Sequence, residues 1–501
     1  MPASLGAVDI AILALYGCVL VGMGIYYVRK SRTADQFMVA GRSIPAWAAG
    51  LAVMSAYTSS ISYIATPGKA FDSNWHPIIF ALSIFPVAWL VCKYAVPYYR
   101  QTRLISVYSF LEERLGPWGR VYAALSFLLY MVGRMAVILY LVSLLITKNI
   151  SSQPNNDKMI IVVIVIVGLV TIIYTLLGGM EAVIWTDVMQ SVVMIVGIVF
   201  CAVSLSMKVF VGPEPLIKSA LEQNKFSFGS WDLSLSSRTI WVMIIYGLTE
   251  NLRNLLADQN YVQKYSSVPT ERAAKRSIWI AMLIYIPLTA VFLYIGTTLF
   301  AFYSHSDKLV QAGITKGDEV FPYFIATEVP AGLKGLIIAA IVAAAMSTVD
   351  SALNCSATVM LLDFHKRYFQ PDIGERASVL YLRLVTIVWG LLGIGFAVLM
   401  IRAKSALDLW WQISGIFGGG ILGLFIMSLL RVRLRLWQGL VSITVSIAVI
   451  SWGTFARDLP DSWAWIQCNL DGIIIGAVGT AALMIVACLF GLFNRNQKIQ
   501  A

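Results

Sequence analysis

Apolar stretches of roughly 20 residues alternate along the chain with short polar or charged connections, and each is long enough to cross about 30 Å of hydrocarbon as a helix. The pattern predicts spans at Val8–Val28, Ala46–Ala70, Pro77–Tyr98, Val121–Ile146, Met159–Leu177, Val183–Leu205, Thr239–Leu256, Ile278–Tyr303, Gly335–Leu362, Ser378–Ile401, Leu407–Leu430, Trp437–Trp452 and Ile473–Phe493. That is about thirteen helices in an all-α integral membrane protein. The first span is followed by Arg29, Lys30 and Arg32 and lacks both a basic lead and a small-residue cleavage site, so it reads as a retained helix rather than a signal peptide.

Two predicted spans carry polar runs at mid-membrane depth. The second holds Ser55, Thr58, Ser59, Ser60 and Ser62, with Pro67 beyond them, and the seventh holds Thr249-Glu250-Asn251-Leu252-Arg253-Asn254. Irregular backbone survives at that depth only where it is buried in protein or lines a cavity, and freed carbonyls there coordinate cations. The two spans lie five apart, the spacing expected of two five-helix units in inverted topology. In the seventh, the competing reading is a continuous helix in which Glu250 and Arg253 pair at i, i+3.

The ninth span contains the sharpest signal, Met346-Ser347-Thr348-Val349-Asp350-Ser351. On a helix, Ser347, Thr348 and Ser351 fall at i, i+1 and i+4 with Asp350 at i+3, so hydroxyls and a carboxylate converge on one face. Oxygen ligands suit a small hard cation, and an intramembrane carboxylate costs several kcal/mol unless something pairs with it. A seam of small residues packing helices together is the plainer alternative, and Asp350 argues against it.

Composition narrows the class. The 501 residues are 59% hydrophobic and 13% charged, too apolar for a soluble enzyme. The net charge of +11 raises nucleic acid as a partner. The basic residues instead fall in alternate short connections: Arg29/Lys30/Arg32/Arg42, Arg100/Arg103/Arg114/Arg120, Lys264/Arg272/Lys275/Arg276, Lys366/Arg367/Arg376/Arg383 and Arg431/Arg433/Arg435. These read as cytoplasmic loops, which places the amino terminus outside and the tail with Arg495 and Lys498 inside. The 6 cysteines are scattered without a C-x-x-C pair and imply neither disulfides nor a metal site. His76, His305 and His365 sit at or beyond span ends, and no H-E-x-x-H, phosphate loop or nucleophile elbow occurs, so neither a membrane enzyme nor an ATP-driven pump is expected. Expected partners are a small solute and the lipid bilayer, with no nucleic acid and no obligate protein partner evident; no organic cofactor is expected.

The segments Tyr57-Thr58-Ser59-Ser60-Ile61-Ser62, Gly68-Lys69-Ala70-Phe71-Asp72-Ser73-Asn74-Trp75, Gly178-Gly179-Met180-Glu181-Ala182-Val183-Ile184-Trp185-Thr186-Asp187-Val188-Met189-Gln190 and Ser347 through Asn354 resemble the sodium/solute symporter family, which includes sodium/glucose cotransporters and bacterial sialic acid transporters. The resemblance implies an alternating-access carrier with a LeuT-like ten-helix inverted repeat. Residues 8–28 would be an extra first helix, 46–205 and 239–430 the two repeats, and 437–493 two extra helices, all in one domain over 1–501. It implies a main sodium site from the carbonyls of Ser55, Thr58 and Ala344 and the hydroxyls of Ser347 and Thr348. A possible second sodium site would use Asp187, Asp350 and Ser351, so that one or two sodium ions are the coupling ions. Asp350 stands where the pattern has Ser or Thr; it either binds an ion, keeps a proton beside Asp187, or pairs with Arg253 or a backbone donor.

For the substrate, the same resemblance sets Arg134 against the carboxylate of a sugar acid, and a guanidinium fork suits a carboxylate bidentately. The alternative for Arg134 is a structural pair with a neighbouring Asp or Glu. Ser59, Ser60, Ser62 and Asn251 complete the expected substrate contacts. Ala81, Pro77 and Tyr57 replace a glutamine, an aromatic and a small hydroxyl residue of the sialic acid branch. Asp258-Gln259 resembles a polar pair of the glucose cotransporters, and Trp410-Trp411-Gln412 offers either a stacking face for a sugar or an interfacial anchor. The expected function is sodium-coupled import of a small organic solute across the inner (cytoplasmic) membrane, with a carboxylated sugar such as sialic acid preferred. A neutral sugar, a monocarboxylate, or a transporter-fold sensor are the alternatives.

Overall fold

The computed structural model describes residues 5–28, 32–102, 104–150, 157–210, 217–304, 306–402, 406–432, 434–458 and 461–499, with the side chains at 148–150, 402, 406–416, 458, 461–462 and 493–499 left out. Arg29, Lys30, Arg103, His305 and Arg433, and the side chains of Trp410, Trp411, Gln412, Arg495 and Lys498, therefore lie outside the described residues. The principal helices are α1 Ala7–Tyr27, α2 Ala34–Val39, α3 Ala46–Tyr57, α4 Ser60–Asp72, α5 Pro77–Gln101, α6 Pro117–Ile150, α7 Asp157–Phe210 and α8 Ile240–Leu252. They continue with α9 Gln259–Ser266, α10 Glu271–Tyr303, α11 Gly317–Glu328, α12 Leu333–Val359, α13 Glu375–Leu399, α14 Ala406–Leu429, α15 Leu436–Phe455 and α16 Ile475–Ile499. Among the described residues, nine helices are long and apolar enough to cross a membrane.

Burial sorts these helices by role. In α12 every residue from Lys334 to Val359 except Leu336 is buried, so this is the axis of the bundle, packed on α7, α6, α1 and α13. Helices α1, α13 and α16 turn large apolar side chains outward, among them Val8, Leu15, Leu391, Leu399 and Leu489. An outward apolar band on a polytopic chain is the face that meets lipid. Asp9 of α1 is buried and accepts the N–H groups of Gly332 and Gly335, capping the start of α12 from a neighbouring helix.

Three breaks shape the bundle. The second predicted span is interrupted between Tyr57 and Ser60, where Thr58 and Ser59 leave helical geometry at φ −103°, ψ 90° and φ −94°, ψ 173°. Its halves α3 and α4 both lie on α10, and a Cβ on Gly50 of α3 would meet Ile280 of α10 at 2.8 Å, so only glycine permits that approach. The predicted fifth and sixth spans are one run of 54 residues, α7. At about 1.5 Å per residue it far exceeds a bilayer, and it is divided at Gly179, whose φ of +58° an L side chain resists.

The third break corrects the sequence reading. The polar run Thr249–Asn254 stays wound, through α8 and a wide π turn over Arg253–Ala257, and the chain leaves helical geometry at Asp258 (φ −99°, ψ 115°). Glu250 and Arg253 do pair, at 2.8 Å across i, i+3, which is why the turn carrying them holds. The span then resumes as α9, whose eight residues are all buried. Lys264, read from the sequence as part of a cytoplasmic loop, is consequently inside the bundle.

Candidate functional site

The break at Thr58-Ser59 leaves backbone and side-chain oxygens without helical partners, as helix ends must. The Thr58 N–H closes α3 on the carbonyls of Met54 and Ser55, both at 3.1 Å. The next carbonyl, Ala56, accepts Arg134 Nη2 at 3.0 Å and the Tyr261 hydroxyl at 3.1 Å. Ser55 Oγ and Ser60 Oγ are buried without a hydrogen-bond partner, and Thr58 Oγ1 reaches only Met54 Sδ at 3.5 Å. Ser59 and Ser62 are half-buried, and the Ser59 carbonyl starts α4 by accepting Ser62 N–H at 2.9 Å, with no side-chain cap.

Helix α12 packs against both halves of this broken span. There Ser347 Oγ and Thr348 Oγ1 each donate to the Ala344 carbonyl at 3.1 Å, which leaves the hydroxyl lone pairs to face a cation. Orphaned buried oxygens on one helix and hydroxyls on the helix packed against it are the types of donor a small hard cation takes, and each orphan otherwise costs about 1–3 kcal/mol.

The second predicted group is differently made. Asp187 of α7 and Asp350 of α12 are fully buried. Asp350 Oδ2 accepts the Tyr174 hydroxyl at 2.7 Å and faces Thr186 Oγ1 at 3.4 Å, and Oδ1 accepts Ser351 Oγ at 3.1 Å. Ser351 Oγ also lies 2.8 Å from the Ser347 carbonyl. Asp187 Oδ2 is in contact with Lys264 Nζ at 2.9 Å. This is a contact ion pair rather than an aligned hydrogen bond, and Asp187 Oδ1 has no donor. The ammonium itself donates to the Ala52 carbonyl of α3 at 3.0 Å. Arg253 is not the partner of Asp350: it holds Glu250, stands 3.8 Å from Asp258, and meets Tyr130 through its hydroxyl at 3.2 Å and its ring at 4.9 Å.

Lys264 is the buried charged residue beside Asp187 that the sequence reading missed. The available signal was charge accounting: Asp187 in the sixth span needed a partner, and a helix restarting at the Asp258 cap carries Lys264 inward.

Arg134 contrasts with Arg253. It is 8% exposed, and among the described residues no carboxylate lies within 4.0 Å of it. A wall of Tyr57, Tyr261 and Tyr285 stands beside it, with ring centroids 4.7 and 5.2 Å from Tyr57. Asn251 is engaged elsewhere: its amide donates to the Phe80 carbonyl at 3.0 Å and Ser83 Oγ at 3.1 Å, joining α8 to α5, and only Oδ1 is open. Of the Asp258-Gln259 pair, Asp258 caps α9 through Asn260 N–H, and the Gln259 amide holds Ile105 O and Val107 N–H.

A broken span with unpartnered hydroxyl oxygens, a buried guanidinium bonded to a backbone carbonyl and an axial helix buried at all but one position from Lys334 to Val359 meet in the same bundle. The profile of the sodium:solute symporter family matches residues 37–440. The chain belongs to that family. Among family members, it is 31% identical over 488 residues to the sodium/sialic acid symporter SiaT of Proteus mirabilis, covering 96% of each chain. It is 26% identical over 438 residues to the human sodium-coupled monocarboxylate transporter 1, covering 86% of this chain and 70% of that one. The solved structure of a substrate-bound, outward-open Na+-coupled sialic acid symporter, described as revealing a novel Na+ site, superposes with a TM-score of 0.88 at 29% identity, over 97% of this chain and 98% of that chain. As a sodium:solute symporter the protein is a multi-pass membrane carrier driven by sodium, not an enzyme.

Proposed function

We propose that this symporter imports a small carboxylated solute, a sugar acid such as sialic acid, across the inner membrane by alternating access. The observation that carries the substrate class is Arg134: a buried guanidinium bonded to one backbone carbonyl, with no carboxylate within 4.0 Å among the described residues. A charge left unpaired in a membrane interior is tolerated where a ligand completes it. Ser59 and Ser62, half-buried at the helix break, are placed to take hydroxyls of the solute, and Ser60 Oγ and Asn251 Oδ1 are further open acceptors. The likeness to the Proteus mirabilis symporter over nearly the full length supports the same class.

The main sodium ion sits among the carbonyls of Ser55, Thr58 and Ala344 and the hydroxyls of Ser347 and Thr348. The ion and the solute anion then compensate each other beside the same break. The architecture is read as a LeuT-like inverted repeat, 46–205 and 239–430, within about thirteen spans. The amino terminus is outside and the carboxyl terminus inside, which the alternating basic loops support.

Proteoliposomes with an inward sodium gradient test this reading. Labelled sialic acid accumulates, and accumulation is lost in choline. Binding without accumulation would identify a sensor instead. The tyrosine wall beside one guanidinium also suits an apolar monocarboxylate, so a short monocarboxylate is the second labelled solute. Uptake of neither, or of a neutral sugar in preference to both, would overturn the carboxylate reading.

A further inference from the structure

We propose that the groove between α5 and the start of α10 binds an anionic phospholipid, with Lys93 on its phosphate and Phe85 and Trp89 against its acyl chains. Neither the solute site nor the sodium site enters this inference, so it stands or falls apart from the proposed function.

Lys93 stands about two turns before the end of α5 at Gln101, on a face exposed outside the bundle. The large apolar side chains around it are exposed as well, Trp89 at 54% and Tyr94 at 58%, so that face meets lipid. A lysine facing hydrocarbon is costly, and it is kept near a helix end where its ammonium can rise toward the headgroups. Here the ammonium rests over rings, 4.7 Å from that of Trp89 and 5.2 Å from that of Tyr94. Among the described residues no carboxylate lies within 4.0 Å of it. The backbone also departs from regular helix at this point, in a wide π turn over Val91–Ala95, where Pro97 brings no N–H to the Lys93 carbonyl. Such turns recur at functional sites.

Helix α10 supplies the other wall. It packs along α5 in antiparallel order: Phe85 faces Trp279 with ring centroids 6.1 Å apart, and further along the Lys275 charge is felt at Cys92, beside Lys93. Arg272, Arg276 and Trp279 recur at i, i+4 and i+7, a single stripe of α10, so the two exposed arginines edge the same groove. Arg100 fixes this end of α5 by donating to the carbonyls of Ser266, Val268 and Pro269, just ahead of α10. Of the acids near this end, Glu271 holds Lys275 at 2.6 Å and Glu113 accepts the Tyr98 hydroxyl at 2.9 Å. Lys93, Arg272 and Arg276 are left as an excess of positive charge beside an apolar wall. Cations at the headgroup level over a lipid-facing apolar surface are complementary to an acidic phospholipid. Helix α10 also carries both halves of the broken span, α3 and α4, so a lipid seated here steadies the helix on which the break rests.

Native mass spectrometry of the full-length protein in detergent, titrated with phosphatidylglycerol or phosphatidylcholine, tests the site. Wild type retains one phosphatidylglycerol about fivefold more strongly than phosphatidylcholine, the preference that roughly one basic residue confers near an anionic surface. The same lipid raises its thermal unfolding midpoint. Lys93→Leu, which suits a lipid-facing position, loses the preference, Lys93→Arg keeps it, and Arg276→Gln weakens it. Glycerol 3-phosphate, which has the charge without the acyl chains, does not compete. Equal retention of the two lipids by wild type would overturn the inference, and so would an undiminished preference in Lys93→Leu. Displacement of the lipid by glycerol 3-phosphate would assign the groove to a soluble phosphate and overturn it too. Should Lys93→Leu not fold, the wild-type preference and Arg276→Gln decide alone.

Discussion

The break around Thr58 and the cluster around Asp187 are two buried polar regions sharing α3 and α12 in one membrane bundle, and they are finished to different degrees. At the break, Ser55 Oγ and Ser60 Oγ are buried without a partner, and the Arg134 guanidinium, bonded to the Ala56 carbonyl, has no carboxylate within 4.0 Å among the described residues. In the cluster, the charges meet, Lys264 on Asp187 Oδ2, and hydroxyls meet Asp350, with Asp187 Oδ1 left without a donor. An unfinished polar region in a dry interior costs free energy that a ligand recovers on binding, whereas one closed on itself holds helices together. Being buried and polar is thus not enough to mark a transport site. What marks it is the partner that is absent.

Mutations separate the two regions, and the largest effect is expected in the closed one. Asp187→Asn leaves the Lys264 ammonium unpaired, which costs about 3–5 kcal/mol when one member of a buried pair is removed. The thermal unfolding midpoint in detergent should fall sharply while any folded fraction keeps its sodium affinity. A stable Asp187→Asn protein with weakened sodium binding would erase the contrast between the regions.

At the open region, Arg134→Gln should reduce affinity for the anionic solute on the order of a hundredfold, about 2.8 kcal/mol. Arg134→Lys should lose less, because the charge survives but the bidentate fork does not. A neutral analogue should bind wild type and both variants alike. Loss of folding with unchanged affinity in the surviving protein would make Arg134 a brace like Arg253.

Ser347→Ala should weaken sodium dependence of uptake by about tenfold, or about 1.4 kcal/mol of coupling. By reciprocity the solute should raise sodium affinity by the same factor that sodium raises solute affinity, which paired titrations in sodium and choline measure. Equal solute affinity in both salts would remove the ion from the break. The smallest effect belongs to Ser351→Ala, which deletes one of several hydroxyls around Asp350. A stability loss of about 1 kcal/mol is expected with the number of bound sodium ions unchanged, and a lower count would return Ser351 to an ion site.

The broken second span was legible because five hydroxyl residues in one apolar run are costly at mid-membrane depth unless the backbone there opens onto a site, and the structure breaks it between Tyr57 and Ser60. The seventh span was legible only in part. Its polar residues were visible, but whether Glu250 and Arg253 interrupt the helix or brace it depends on a pairing at 2.8 Å that only coordinates reveal, and the break falls at Asp258. Lys264 was misread for a related reason. In a linear chain it is one more basic residue ahead of Arg272 and Lys275, and nothing local says that α9 carries it inward.

The sequence by itself determined the all-helical membrane class, because hydrocarbon admits few other structures and the length of each apolar run is set by bilayer thickness. It also determined the family and the residue types that meet a cation or an anion, since ligand chemistry is a property of side chains. Only the tertiary structure decided which charges are already spent. Arg134 and Arg253 are both buried arginines, and Asp187 and Asp350 are both buried acids. Which of them is free depends on neighbours more than 70 residues away for Asp187 and Lys264 or Tyr174 and Asp350, and three for Glu250 and Arg253. Pairing in a low-dielectric interior is settled at distances of about 3 Å, and helix packing, not sequence spacing, sets those distances.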